Sequence, residues 1–265
     1  MENPSEEKPK KHRARRKKEE TPSPAKGLLD ALAFIKPAGK KKGVHCLISN
    51  HWMVAADGIL TIATPIQEDL EACPQIDKFE EVLKQVGEDM SITQLSESEI
   101  SVSSGGMKAV VPCMAQAPVI TGPDPQGGVI DDNVKKALKE LNPIISDKAE
   151  YAPFAGVLLN GKVAVGTNGH VLLEVEHGCN LPENVLVPKV AVAAVAKCKK
   201  TLSGFGYTGP SCTFYFEDGS LIKTQLFNQE YPQWSKALDA EPDSAASATN
   251  KDFFEAVATI GSMTE

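Results

Sequence analysis

The spacing of apolar and polar positions changes period several times along the chain. Leu28, Leu29, Leu32 and Ile35 stand at helical spacing in GLLDALAFIKPAG, and Pro37 with Gly39 closes the run, so the pattern predicts a helix beginning near Gly27. Three β-rich segments follow, VHCLISN, HWMVAADG and ILTIATPI, with Asp57-Gly58 as a hairpin turn. A second helix is expected from about Asp77 to Val86, with Phe79, Val82, Leu83 and Val86 on one face. SITQLS, EISVSSG and MKAVVP then alternate like hairpin strands, turning near Ser98 and at Gly105-Gly106.

Residues 115 to 130 are dense in Pro and Gly, break every period and read as a linker with room for a short strand. The same order of elements then returns. DDNVKKALKEL predicts a helix with an acidic cap and with Val134, Leu138 and Leu141 on one side. FAGVLLNG, KVAVGTNG and HVLLEVEHG follow as strands, and VLVPKVAVAAVAKCKKTL runs from a strand through Pro188 into a helix. GFGYTG, CTFYFEDG and SLIKTQLFN close the unit.

Three matches give this repetition a length. Asp57-Gly58 corresponds to Asn168-Gly169 at an offset of 111, Pro74 to Pro188 at 114, and Gly105-Gly106 to Asp218-Gly219 at 113. Concordant offsets with one order of elements imply a duplicated unit. Half-buried strand alternation with two helices per unit calls for an α+β fold in which the helices cover one face of antiparallel sheet. The expected organisation is a tail at 1–26, a first unit at 27–117, a linker at 118–130, a second unit at 131–240, and a linker plus helix at 241–265. In that last segment Phe253, Phe254, Val257 and Ile260 fall on one helical face. It reads either as the first helix of a third unit or as a helix packing back on the second.

Charge changes this picture at one end. The chain carries a net -7, but residues 1 to 26 hold nine Lys/Arg against five Glu, a net of +4 that leaves -11 on the rest. Lys8, Lys10, Lys11, Arg13, Arg15, Arg16, Lys17 and Lys18 form a cluster suited to salt-sensitive phosphate contacts, in a segment with no apolar period and the composition of a disordered tail. An acidic body repels nucleic acid at long range, so DNA contact would fall to this tail and to local basic surfaces. The six cysteines form no CxxC and read as reduced thiols. No apolar run approaches the roughly 18 residues of a membrane span, so membrane insertion is not expected.

Catalytic patterns are weak. His45 and Cys46 are adjacent in a strand segment and therefore point to opposite faces, and neither they nor His51 and Trp52 form a set. His170, His177 and Cys179 lack a fourth ligand at a zinc spacing. GFGYTG (204–209) and GVLLNGK (156–162) match the bare spacings GxGxxG and GxxxxGK, but both fall in segments read as strands and not at a strand-to-helix turn, and Val163 stands where a phosphate-binding loop needs Ser or Thr, so neither supports nucleotide binding. The chain is expected to be a non-catalytic protein without a cofactor.

Gly166-Thr167-Asn168-Gly169-His170-Val171-Leu172, Val187-Pro188-Lys189, and Thr224-Gln225-Leu226 through Tyr231-Pro232-Gln233-Trp234 occur in the order of three signatures of the bacterial and phage sliding clamp, the processivity subunit of replicative DNA polymerase. Leu28 to Ala31, Ala55 to Gly58 and Ser104 to Ala109 resemble the corresponding elements of its first domain. The resemblance spans about residues 27 to 240, and what it implies is as follows. Repeated clamp domains would form part of a ring with helices lining a DNA channel. Lys135, Lys136, Lys139, Lys197, Lys199 and Lys200, with the tail, would contact double-stranded DNA. Thr167, Gly169, His170, Leu172 and Pro232 would contribute to a groove for peptides of DNA polymerase and clamp-loader-type proteins. Such a protein would be cytoplasmic. Family members usually carry three domains and close as two chains; a two-domain chain would reach six domains as a homo-oligomer of three. The alternative is a non-ring adaptor that keeps clamp domains to bind replication or repair proteins. A further class is a nucleic-acid-modifying enzyme, which a metal-dependent nuclease activity would reveal. The first helix pair, with Asp77, Glu80 and Glu81 against Lys78 and Lys84, is expected to be nearly neutral or acidic.

Overall fold

The computed structural model describes residues 24–39, 43–87, 89–116, 118–146 and 148–238. Residues 1–229 form one compact unit and residues 230–265 a second. In the first unit α1 (Pro24–Ile35), β1 (Leu47–Ser49), β2 (Trp52–Ala56) and β3 (Leu60–Pro65) are followed by α2 (Ile76–Leu83), β4 (Ser91–Ser96), β5 (Glu99–Ser104) and β6 (Met107–Pro112). A short strand, β7 (Gln126–Gly128), leads into α3 (Asp132–Leu141), β8 (Gly156–Asn160), β9 (Val163–Thr167) and β10 (Leu172–Glu176). Then come β11 (Val185–Pro188), α4 (Lys189–Lys197), β12 (Leu202–Tyr207), β13 (Ser211–Phe216) and β14 (Leu221–Gln225). The second unit contains the single turn α5 (Ser235–Leu238).

The strands pair antiparallel in three sheets, ordered β1-β2-β3-β14-β13-β12-β7, β10-β9-β8-β11 and β4-β5-β6. The helices pack as two pairs, α1 with α2 and α3 with α4, against the sheets. Their buried stripes, Leu28, Leu32 and Ile35 on α1, Phe79 and Leu83 on α2, Val134, Leu138 and Leu141 on α3 and Val192 and Val195 on α4, join one core. The expected α+β architecture therefore holds. Among the described residues no helix is long and apolar enough to cross a membrane.

Two boundaries differ from the periodicity. α1 is described from Pro24, three residues before Gly27; proline fits a first helical turn because it gives up an N–H that has no partner there, and Ala25 is already buried. α2 stops at Leu83, where the Lys84 N–H closes on the Glu80 carbonyl at 3.1 Å; Val86 still packs on the core, but from the turn beyond the helix. At α3 the expected cap is present, with the Asp131 carboxylate accepting from the Asn133 N–H at 2.8 Å.

The repetition has a common local chemistry. Asp57 Oδ1 accepts from the N–H groups of Ile59 and Leu60 at 2.9 and 2.8 Å, and Asn168 Oδ1 from those of His170 and Val171, both at 2.9 Å. The glycine after each sits at φ +92° and +89°, a region that side chains other than hydrogen disfavour. Ahead of α2, the segment around Pro74 pairs with β1 through Ile48 N–H to Ala72 O at 2.8 Å, as β11 pairs with β8 ahead of α4. The two halves meet where β3 joins β14, with Leu60 opposite Thr224, Thr61 opposite Lys223, Ile62 opposite Ile222 and Ala63 opposite Leu221.

The linker is held by its own polar core. Asp124, 2% exposed, accepts from the hydroxyls of Thr208, Ser211 and Thr213 and lies 3.7 Å from the Lys223 ammonium. Lys223 donates to the Gly122 carbonyl at 2.7 Å, and the Tyr215 hydroxyl donates to the Asp124 carbonyl. Burial alone would raise the Asp124 pKa, but these hydrogen bonds and the lysine outweigh it and hold the carboxyl below its ordinary value. Gly206 packs so closely on this turn that a Cβ there would lie 2.4 Å from the Asp124 carbonyl oxygen.

Candidate functional site

The lysines of α3, of α4 and of the residues just beyond it divide by environment. Lys136, Lys139, Lys197 and Lys199 are exposed, Lys136 donating to the Asn133 side chain at 3.2 Å. Lys135 and Lys200 instead face inward. The Lys135 side chain is 15% exposed and its ammonium meets Asp132 at 2.9 Å and the Lys200 carbonyl at 2.8 Å. Lys200 meets Asp218 at 2.7 Å, Ser220 at 2.6 Å and Thr64 at 3.1 Å, and lies 4.0 Å from the centre of the Phe34 ring. A cation leaving water needs such partners, and here they come from α1, β3 and the β13–β14 turn, so Lys200 ties the two halves together. The resemblance implied DNA contact for both; their ammonium groups are engaged internally. Lys189, the first residue of α4, donates to the Ile145 carbonyl at 2.6 Å. Asp132 is held below its ordinary pKa, first by the Leu202 N–H and then by Lys135.

The first helix pair balances its own charge. Glu80 meets Lys36 and Lys84, both at 2.7 Å, and Lys78 meets Glu81 at 2.9 Å. Hydrogen bonds from Lys36 and Lys84 keep the Glu80 carboxyl below its ordinary range. The basic cluster from Lys8 to Lys18 lies outside the described residues.

The β9–β10 turn brings four of the five expected peptide-site residues together. Thr167, 6% exposed, donates its hydroxyl to the Val171 carbonyl at 2.8 Å and accepts from the Gly169 N–H at 3.1 Å. Gly169 is needed twice over, for its positive φ and because a Cβ would stand 3.1 Å from Phe154 Cε2. His170 is exposed, Val171 is 54% exposed and Leu172 half-buried. Pro232 belongs to the second compact unit, where its carbonyl accepts from the Trp234 N–H at 2.7 Å.

Sequence reasoning missed the wall of this turn. Phe154 stacks edge-on against Tyr151 with ring centres 5.1 Å apart, and it backs Gly169 from a short 3-10 helix, Ala152–Ala155, that carries no amphipathic period to find. Phe154 thus puts an apolar ring against a turn that also carries the exposed Val171 and the polar Thr167 and His170, the mixture a short peptide with apolar side chains requires.

Cys46, Cys73, Cys212 and His177 are built into the interior. Burial pushes the Cys73 thiol up to about 11 and the Cys46 and Cys212 thiols far above their ordinary value. His177, 4% exposed, accepts from the Cys179 N–H at 3.2 Å, and burial holds its pKa below the ordinary value. Among the described residues no cluster of three His, Cys, Asp or Glu is placed to hold a metal ion.

No family model matches the chain, and no curated protein matches it significantly. Solved structures do. A DNA polymerase III beta subunit from Eubacterium rectale superposes with a TM-score of 0.69 at 15% identity over 83% of this chain and 68% of that one. The Helicobacter pylori beta clamp bound to a DNA ligase peptide gives 0.66 at 17% identity, over 83% and 69%. The Bacillus subtilis DNA polymerase sliding clamp gives 0.67 at 14% identity, over 83% and 67%. The chain therefore has the sliding-clamp fold.

Proposed function

We propose that this chain is a sliding-clamp-type processivity factor, a non-catalytic protein that encircles double-stranded DNA and holds a polymerase there through its peptide-binding turn. The observation that carries the reading is the way one repeated unit continues into the next through a single sheet across β3 and β14, with a helix pair beneath each half. Repeating that joint builds a curved wall, and topological enclosure needs only a wall with cations that touch phosphates without reading bases. Lys136, Lys139, Lys197 and Lys199 supply exposed cations on one helix pair. The tail from Lys8 to Lys18 adds a salt-sensitive contact to compensate for the neutral first pair. Polymerase and clamp-loader-type proteins in the cytoplasm would dock apolar peptide side chains against Phe154, Val171 and Leu172; the Helicobacter pylori beta clamp, a structural neighbour, is bound to a DNA ligase peptide.

The charge balance on α1 and α2 favours one other reading, an adaptor that binds replication or repair proteins without enclosing DNA. Light scattering over a concentration series separates the two. A species near three times the chain mass of 28.4 kDa, carrying six repeats, supports the ring. A strict monomer that still binds clamp-type peptides supports the adaptor.

A further inference from the structure

Resting on the clamp reading, we infer that Glu80 is a positioning residue for the duplex: it takes up the ammonium groups of Lys36 and Lys84 in place of phosphate, so that DNA rests on α3 and α4 and passes the first helix pair without being held there. The geometry is an ion cluster of three groups. Glu80 Oε2 meets the Lys36 ammonium and Oε1 the Lys84 ammonium, each at 2.7 Å, so each carboxylate oxygen is engaged by a different cation. Lys36 comes from the 3-10 turn that follows α1, Glu80 from the last turn of α2, and Lys84 from the C-terminal cap of α2. Helix physics gives no local reason for this carboxylate. The last turn of a helix carries a partial negative charge, which favours a cation and disfavours Glu80. What holds the carboxylate there is its pair of lysines.

Exposure decides which charges matter. The Glu80 side chain is 22% exposed, against 48% for Lys36 and 61% for Lys84, so the carboxylate is shielded while both lysines still border the water through which a phosphate arrives. The neighbouring pair, Lys78 with Glu81 at 2.9 Å, is open on both sides at 56% and 61%, and pairs so exposed yield readily to salt and solvent. The second helix pair is built differently. α4 reads KVAVAAVAK, with no carboxylate among its residues, and Lys136, Lys139, Lys197 and Lys199 stay exposed. Each copy therefore presents one helix pair with open cations and one whose cations are occupied by its own carboxylate. On the second pair a phosphate displaces only counterions, and their release drives binding. To reach Lys36 or Lys84 it must displace a carboxylate tethered at contact distance, an exchange of one anion for another that gains little.

Glu80→Gln keeps the shape of the side chain and removes its charge, which frees both lysines. Binding of the full chain to a labelled duplex is followed by fluorescence anisotropy across a salt series. The variant is expected to raise the steepness of log affinity against log salt by about 1 to 2, so that between about 50 and 200 mM salt it loses about 4- to 12-fold more affinity than wild type. Lys36→Ala combined with Lys84→Ala is expected to leave the wild-type steepness unchanged, and in the Glu80→Gln background to return it to the wild-type value. A tie between the two helices with no bearing on DNA predicts instead a lower melting temperature at unchanged steepness, and that result overturns the inference. If Glu80→Gln does not fold, the double lysine variant decides alone: a fall in steepness of about 1 to 2 shows that Lys36 and Lys84 already hold phosphate in the wild type and overturns the role of Glu80. Failure of both wild type and Glu80→Gln to bind duplex overturns the clamp reading itself, whereas binding with equal steepness overturns only the role of Glu80.

Discussion

Replacing Asp124 by alanine tests whether the linker is a structural part of the fold. The carboxylate is 2% exposed, accepts from three hydroxyls and lies beside a lysine whose own side chain is 11% exposed. Removing it leaves Thr213 without its acceptor, Thr208 and Ser211 with only each other at 3.2 Å, and Lys223 with only the Gly122 carbonyl among these contacts. Breaking a buried ion pair of this kind costs about 3 to 5 kcal/mol, and the retained Gly122 bond places the expectation at the lower end, about 3 kcal/mol. For a chain of this size that lowers the melting temperature by about 6 to 12 °C. The assay is urea unfolding at pH 7, with Lys223→Met and the double variant completing a cycle whose coupling should exceed about 1 kcal/mol. The pH dependence has a definite sign. A carboxyl held below its unfolded value stabilises the fold above that value and loses its contribution as the pH falls through the folded one, so wild type and Asp124→Ala should converge below about pH 4. A loss under about 1 kcal/mol at pH 7, or no coupling to Lys223, would refute the reasoning.

Three further outcomes are expected. Changing Lys136, Lys139, Lys197 and Lys199 together to alanine should leave the melting temperature unchanged and reduce the steepness of log affinity against log salt for duplex DNA by about 3 to 4, measured by fluorescence anisotropy. Gly169→Ala should cost about 1 to 2 kcal/mol through its positive φ and the Phe154 contact, and should weaken binding of a labelled peptide with apolar terminal residues, read by anisotropy against wild type. Lys200→Met should destabilise by about 1 to 3 kcal/mol in urea unfolding, because Asp218, Ser220 and Thr64 lose a common charged donor at the meeting point of the two halves.

The parts of the fold that depend on neighbours in sequence were legible. Asp57-Gly58 and Asn168-Gly169 announce their turns because an Asx side chain accepts from the amides two and three residues on and glycine takes the positive φ, a requirement satisfied within four residues. SITQLS, EISVSSG and MKAVVP become β4, β5 and β6 because alternation fixes which side chains enter the core. The parts that depend on distant partners were not. Asp124 in a Pro- and Gly-rich stretch looks like an ordinary turn residue, and the hydroxyls that bind it lie 84 to 89 residues away. Lys135 and Lys200 look like solvated helix-face lysines, since spacing does not reveal that Asp218 and Phe34 will lie within reach of Lys200. Thr167, Gly169, His170 and Leu172 were singled out by the resemblance of their turn to the clamp signature, while Phe154 reaches the same turn from a non-periodic segment.

The central claim, that the chain acts by enclosing DNA, is tested most directly by making retention depend on DNA topology. The full chain is incubated at assembling concentration with a nicked circular plasmid and with the same plasmid linearised, and both are passed through a sizing column at a salt concentration that screens the tail contacts. The account predicts that protein travels with the circle and is lost from the linear form, and that cutting the circle releases it. Equal retention on both forms, or none on either while the chain is assembled, would contradict it.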